Sequence, residues 1–216
     1  MKYKKLLALA LVAATTPAFA SSFTVDFEKT WDYANGDVNN YYNGGAAAGG
    51  STGGSNLGVS FVNVSGLSND SLGTYYSNAP SMQGVAYAHD TAYMNVAAGV
   101  DNLSFWYSSF AEVADAVTAW SGVNGTGTLL GSFNLTANDS GTTLDTWNSV
   151  MFSFTGTAKS FDFTGSANVA AFDNISTVPA PAAAWLYGSG LAMFGAIRLS
   201  VRLRSERTAD SGQLIL

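Results

Sequence analysis

Cysteine is missing from this chain, histidine occurs once, and lysine and arginine together number nine in 216 residues. Without cysteine there is no disulfide, no thiolate zinc or iron–sulfur ligand and no thiol nucleophile. A Ser-His-Asp arrangement has only His89 to draw on, with Asp90 beside it, and no Gly-x-Ser-x-Gly elbow accompanies the pair. A lone His-Asp dipeptide reads as a turn. Glycoside hydrolysis needs two facing carboxylates at a defined separation. Glu28 and Glu112 are the only glutamates between residues 21 and 177, and nothing in the sequence places them together. No residue is nominated as catalytic, and the chain is read as a non-enzyme.

Positive charge is scarce where a folded domain would lie. Between residues 21 and 177 the bases are Lys29 and Lys159, against thirteen acids, a net charge of −11. Phosphate binding needs a basic face, so nucleic acid is excluded as a partner. A carboxylate-rich domain suits hard cations such as calcium, and it also serves solubility alone.

The bases that remain mark the two ends. Lys2, Lys4 and Lys5 precede the apolar stretch 6–14, and Ala18-Phe19-Ala20 has the small-x-small pattern of a cleavage site. Residues 1–20 therefore read as a secretory signal peptide, with Ser21 as the mature start. At the other end, Val178-Pro179-Ala180-Pro181 leads into an apolar run over 182–197, followed by Arg198, Arg202, Arg204 and Arg207. Sixteen residues make roughly 24 Å of helix, short of a hydrocarbon core about 30 Å thick. Extension to Val201 with Arg198 snorkelling brings the span close to the required length. The arginines place that end in the cytoplasm. One transmembrane helix is expected here.

The stretch between is expected to be all-β. Phe23, Val25 and Phe27 alternate with Thr24 and Asp26. Further strands are expected over 59–64, 92–96, 103–108, 116–120, 129–135, 147–154, 160–163 and 169–175. These runs are rich in β-branched and aromatic residues and bounded by Gly, Asn, Asp and Ser. Asn124-Gly125-Thr126-Gly127 between two such runs is a hairpin signal, because Asn-Gly supplies the positive φ angles of a tight turn. Thr155-Gly156-Thr157 and Thr164-Gly165-Ser166 punctuate in the same way. Residues 111–116 are also compatible with a helical turn. Residues 34–58, rich in Gly and Ala, read as a long flexible insertion. The fold class is a single antiparallel β-sandwich, jelly-roll-like, over residues 21–177.

The C-terminal run VPAPAAAWLYGSGLAMFGAIRLSVRLR resembles the sorting signal of the PEP-CTERM family of exopolysaccharide-producing Gram-negative bacteria. The matching positions are Val178, Pro179 and Pro181, the alanines after them, Trp185, the Gly-Ser-Gly of 188–190 and the basic cluster. Ala180 stands where many members have glutamate, in a VPxP form of the motif. The tail 205–216 continues past the basic cluster, where members of the family usually stop. WSGVNGTGTLLGSFNL, VMFSFTGTAKSFDFTGSAN and AAFDNIS resemble the ectodomains of the same family. The resemblance implies export through the inner membrane, recognition of 178–204 by an exosortase, and a place at the surface or in the exopolysaccharide or biofilm matrix. It carries no catalytic activity over.

Two groups of residues are candidates for ligand sites, the alternative for the first being that Asp173-Asn174 makes polar turn contacts while Glu28 faces solvent. Glu28 on the first strand and Asp173 on the last resemble the structural calcium pair of carbohydrate-binding jelly rolls, with Asp26 and backbone carbonyls completing the shell. Tyr41-Tyr42 and Tyr75-Tyr76 lie in polar surroundings, so at least one ring of each pair is expected to be exposed and able to stack on sugar.

Overall fold

The computed structural model describes residues 22–177. The expected signal peptide, the sorting motif Val178, Pro179, Ala180, Pro181, the apolar anchor, its flank Arg198, Arg202 and Arg204, and the tail all lie outside the described residues. Among the described residues no helix is long and apolar enough to cross a membrane.

Seven strands follow in order: β1 Thr24–Val25, β2 Val59–Leu67, β3 Val85–Ser109, β4 Val113–Trp120, β5 Leu129–Leu135, β6 Asn148–Asp162 and β7 Ala170–Ser176. All pair antiparallel in one hydrogen-bonded sheet, ordered β1-β7-β3-β6-β4-β5 with β2 also on β3. The helical elements are short 3-10 turns. The all-β expectation is therefore met.

The strand count differs from the sequence expectation in one instructive way. Runs expected as separate strands at 92–96 and 103–108 belong to the single 25-residue β3. Those at 147–154 and 160–163 belong to β6. The two run alongside each other, with Asn95 opposite Ser160 and Leu103 opposite Phe152, and the register shifts between Asn95 and Asn102. A register shift bends a strand pair and strengthens its twist. The first half of β3 pairs with β2, and its last residues pair with β7. One sheet thus folds over itself in a sandwich-like arrangement. Residues 111–116 do not form a helical turn, because β4 starts at Val113.

Between the folded arms lies the core. Phe61, Met94, Phe105, Phe152, Phe161 and Phe172 are all buried in it. Burying such side chains contributes about 1.5–3 kcal/mol each. Phe105 meets Phe172 and Phe133 edge-on with ring centroids 5.6 and 5.7 Å apart, the geometry that aromatic quadrupoles favour. The alternation read at Phe23, Val25 and Phe27 holds, since all three are buried while Thr24 and Asp26 are exposed.

The Asn124-Gly125 signal is also met. Asn124 (φ 51°) and Gly125 (φ 67°) form the centre of the β4–β5 turn. The Thr126 N–H donates to the Val123 carbonyl across it at 3.2 Å.

Residues 34–58 pack rather than float. Val38, Tyr42 and Ala47 are buried. Backbone hydrogen bonds tie Val38 to Val64, Phe61 to Asn39 and Leu57 to Tyr42. A Gly/Ala composition hides such ties, because the bonding groups are main-chain amides that every residue carries.

Candidate functional site

Three side-chain groupings on this framework bear on function. They are the junction of the first and last strands, a carboxylate shared by a serine and a histidine, and an aromatic recess on the outer face of the sheet.

The junction holds the acids expected at a calcium site. β1 pairs with β7, Thr24 opposite Ser176 and Val25 opposite Ile175, and the Glu28 carboxylate lies close enough for its charge to act on Asp173. Asp173 is fully buried. Its Oδ2 accepts the Ser81 backbone N–H at 2.8 Å, and its Oδ1 accepts the Asn174 N–H at 2.7 Å. The Ser81 Oγ lies 2.7 Å from Asp173 Oδ1 and 2.8 Å from the Asp26 carbonyl oxygen. Glu28 Oε1 accepts the Gln83 N–H at 2.8 Å. Burial, with the Glu28 charge adding to it, pushes the Asp173 carboxyl up to about 6 against the opposing hydrogen bonds. Calcium takes six to eight oxygens. Here both carboxylates already accept main-chain N–H groups. No group of three or more His, Cys, Asp or Glu that could hold a metal gathers among the described residues.

The expected His89-Asp90 turn is corrected: both residues lie inside β3, and His89 turns to Asp37 rather than to its neighbour. His89 Nε2 lies 2.9 Å from Asp37 Oδ1, and Ser65 Oγ donates to that same oxygen. The carboxylate stands between serine and imidazole, so the imidazole is not placed to take the serine proton. A nucleophilic triad needs the histidine in the middle. Hydrogen bonds from Ser65 and His89 outweigh burial and hold the Asp37 carboxyl below its ordinary value.

The four tyrosines nominated for sugar binding are placed as follows. Tyr42 and Tyr76 are buried, so neither offers a ring face. The Tyr42 hydroxyl donates to Asp26 Oδ1 at 3.3 Å, and burial raises its phenol. Tyr41 is half-buried and packs edge-on against Trp31 at 5.5 Å. Tyr75 is half-buried and stacks on Tyr33, with centroids 5.9 Å apart and planes 11° apart. The expectation of an exposed ring in each pair is corrected to a half-buried one. The exposed partner is Tyr33, 57% accessible.

Tyr33 opens onto the recess. An apolar cluster of Leu67, Tyr76, Val85, Leu144 and Ala171 sits on the outer face of the sheet. Next to it is an open cavity of about 190 Å³, lined by Tyr33, Leu67, Tyr87, Phe110, Leu144 and Asn168, with residues 169–171 at the start of β7 completing the lining. Phe110 is 41% exposed. Tyr87 lies opposite Ser65 in the β2–β3 pair and 6.1 Å from the His89 ring, which brings the Asp37 group to one end. Asp32 fixes the turn that carries Tyr33, its Oδ1 accepting the Ala34 N–H at 3.0 Å and its Oδ2 the Asn35 side-chain amide at 3.2 Å. In the sequence, Tyr33 and Tyr87 do not stand apart from the other abundant aromatics. The available signal is Asp32 before Tyr33, a capping residue in front of an aromatic.

The fold and recess define an antiparallel β domain with an aromatic-lined depression. No protein-family model and no curated protein matches the chain. Among solved structures it is similar to the K2 cleaved adhesin domain of Lys-gingipain at 14% identity and a TM-score of 0.43, covering 73% of this chain and 99% of that one. It is also similar to a family 43 arabinoxylan arabinofuranohydrolase from Bacillus subtilis at 14% identity and a TM-score of 0.33. That match covers 54% of this chain and 23% of the hydrolase.

Proposed function

We propose that the chain is an exported, non-enzymatic surface or matrix protein, a jelly-roll-like β domain sorted through its C-terminal segment by an exosortase-type system. The observation that carries this reading is the order of features from Val178 onward: a VPxP motif, an apolar run and an arginine cluster. They follow directly on Thr177, whose N–H donates to the Phe23 carbonyl at 3.1 Å. The domain's two ends meet there, so a tail leaving Thr177 can be cut without unpicking the sheet. The Ser65–Asp37–His89 order argues only against a Ser-His-Asp triad at this histidine.

Intact mass of the protein from the native cell's envelope and medium tests it. The expected product starts at Ser21 and ends near Val178–Pro181. A product that starts at Ser21 and ends at Leu216 in the membrane fraction would make the segment an ordinary anchor and remove the exosortase.

A second reading concerns what the domain does once exported. The aromatic recess favours a carbohydrate-binding role in an exopolysaccharide matrix, through Tyr33 and Tyr87 rather than the Tyr41-Tyr42 and Tyr75-Tyr76 pairs.

A further inference from the structure

We propose that the recess between Tyr33, Tyr87 and Phe110 binds a single neutral pyranose ring of a polysaccharide. This rests on the carbohydrate-binding reading and assigns it a site and a ligand class.

A pyranose offers flat C–H faces and a rim of hydroxyls, so its site needs apolar walls with polar groups at an edge. The recess has both. Phe110, Leu144 and Val169 form the apolar side, and Asn168 adds an amide to the lining. The Asp37 and His89 side chains at the Tyr87 end are 39% and 33% exposed. A purely hydrocarbon ligand would strip water from these polar groups without replacing its hydrogen bonds.

Charge selects further. Among the described residues no lysine or arginine lines the recess. Asp37 stands at one end, and Asp70 lies 3.4 Å from the Tyr75 hydroxyl behind the stacked pair. Both lysines of the domain are engaged elsewhere, Lys29 over the Trp31 ring at 4.3 Å and Lys159 on the Ala97 carbonyl at 2.8 Å. A sulfated or uronic sugar would meet the Asp37 and Asp70 carboxylates with no lysine or arginine in the lining to offset them. A neutral ring meets no such cost.

Size and rigidity complete the argument. A cavity of about 190 Å³ has room for one ring rather than a run of them. Tyr33 is more than half exposed, yet it is clamped by the Tyr75 stack and the Asp32-capped turn. An exposed aromatic already held in place loses little freedom on binding.

The test uses the full chain in a detergent without sugar headgroups. The probes are dextran, xylan, galactan and mannan with their methyl glycosides, measured by calorimetry and saturation-transfer NMR. At least one neutral polymer and its methyl glycoside should bind. Tyr33→Ala and Phe110→Ala should each weaken binding about tenfold or more, while Tyr33→Phe, which keeps the ring, stays within about threefold. Leu72→Ala, at a residue 81% exposed and outside the lining, should change nothing. A cooperative thermal melt and an unchanged far-ultraviolet circular dichroism spectrum would show that each variant is folded. If the wild type binds none of the polymers, the carbohydrate reading and this site fall together. If it binds but Tyr33→Ala and Phe110→Ala bind equally well, the site is wrong and the carbohydrate reading survives.

Discussion

Ser81 has one hydroxyl proton and two acceptors within reach, the Asp26 carbonyl and Asp173 Oδ1. If Asp173 is ionised, one of these contacts has no hydrogen. If Asp173 carries a proton, it donates to Ser81 Oγ, which donates in turn to Asp26, and the first strand, the loop and the last strand are joined by a complete chain. The raised carboxyl agrees with the geometry. A folded-state value of about 6, above the unfolded one, means that the folded state binds the extra proton. The stability this supplies is full below the unfolded value near 4 and is lost as pH rises through about 6. Thermal melts from pH 4 to 8 should therefore show a component on the order of 2 kcal/mol falling across that window. Asp173→Asn should remove the component, although its amide, facing the Ser81 or Asn174 N–H, lowers stability overall. A mutant with the wild-type pH profile would assign the slope to other groups. Calcium should leave the melt at pH 7 unmoved, and a rise with calcium would mean that the junction opens to an ion.

Gly66 shows a second residue-scale constraint, one of space. A Cβ there would lie 2.1 Å from Trp31 Cδ2. The Trp31 ring cannot retreat easily, because Nε1 donates to the Phe27 carbonyl at 2.8 Å and the backbone N–H donates to Ser68 Oγ at 2.9 Å. Gly66→Ala should cost about 3 kcal/mol in urea denaturation. A loss within about half a kcal/mol would place the ring in a softer setting than these bonds describe.

At the scale of elements, the β4–β5 hairpin is the most legible part of the fold, because its signal is local. Asn tolerates the left-handed region and Gly prefers it, and the two adjacent residues fix the turn. Asn124 also binds outside its hairpin. Its Oδ1 accepts the Asn95 amide at 2.8 Å, its N–H reaches Asn95 Oδ1 at 2.8 Å, and the Gly125 N–H donates to Ser160 Oγ at 2.9 Å. Asn124→Ala should cost about 1–2 kcal/mol, and Asn124→Gly less, since glycine keeps the backbone angle and loses only the side-chain bond. Equal losses would mean that the side-chain bond, not the angle, holds the turn. The long strands are less legible. Residues 97–102 fall in the gap between two expected strands, and Thr155-Gly156-Thr157 reads as punctuation. In space they bend strands that keep pairing, a property of the partner strand that no single segment encodes. The nearness of Glu28 and Asp173 is legible only through the resemblance to carbohydrate-binding jelly rolls; in the structure it follows from the pairing of β1 with β7. The recess is not, because Tyr33, Tyr87, Phe110 and Asn168 come from four separate places along the chain.

For the whole molecule, charge is the strongest influence outside the core. The residues between 21 and 177 carry −11 with two bases. Such a domain repels itself and any polyanion. Added salt screens this repulsion, with a Debye length that falls from about 30 Å at 0.01 M to about 3 Å at 1 M. A neutral sugar in the Tyr33–Phe110 recess, held by ring faces and hydroxyls, should bind with the same affinity at about 20 mM and about 500 mM sodium chloride. A uronic-acid polymer should show no binding at the lower salt, and at the higher salt it should still bind more weakly than the neutral polymer. Calorimetry with dextran and with alginate at the two concentrations separates the cases. Tight alginate binding at low salt, weakening as salt rises, would mean that a positive surface outside the described residues captures the polymer. The arginines from Arg198 to Arg207 form the basic cluster able to supply it.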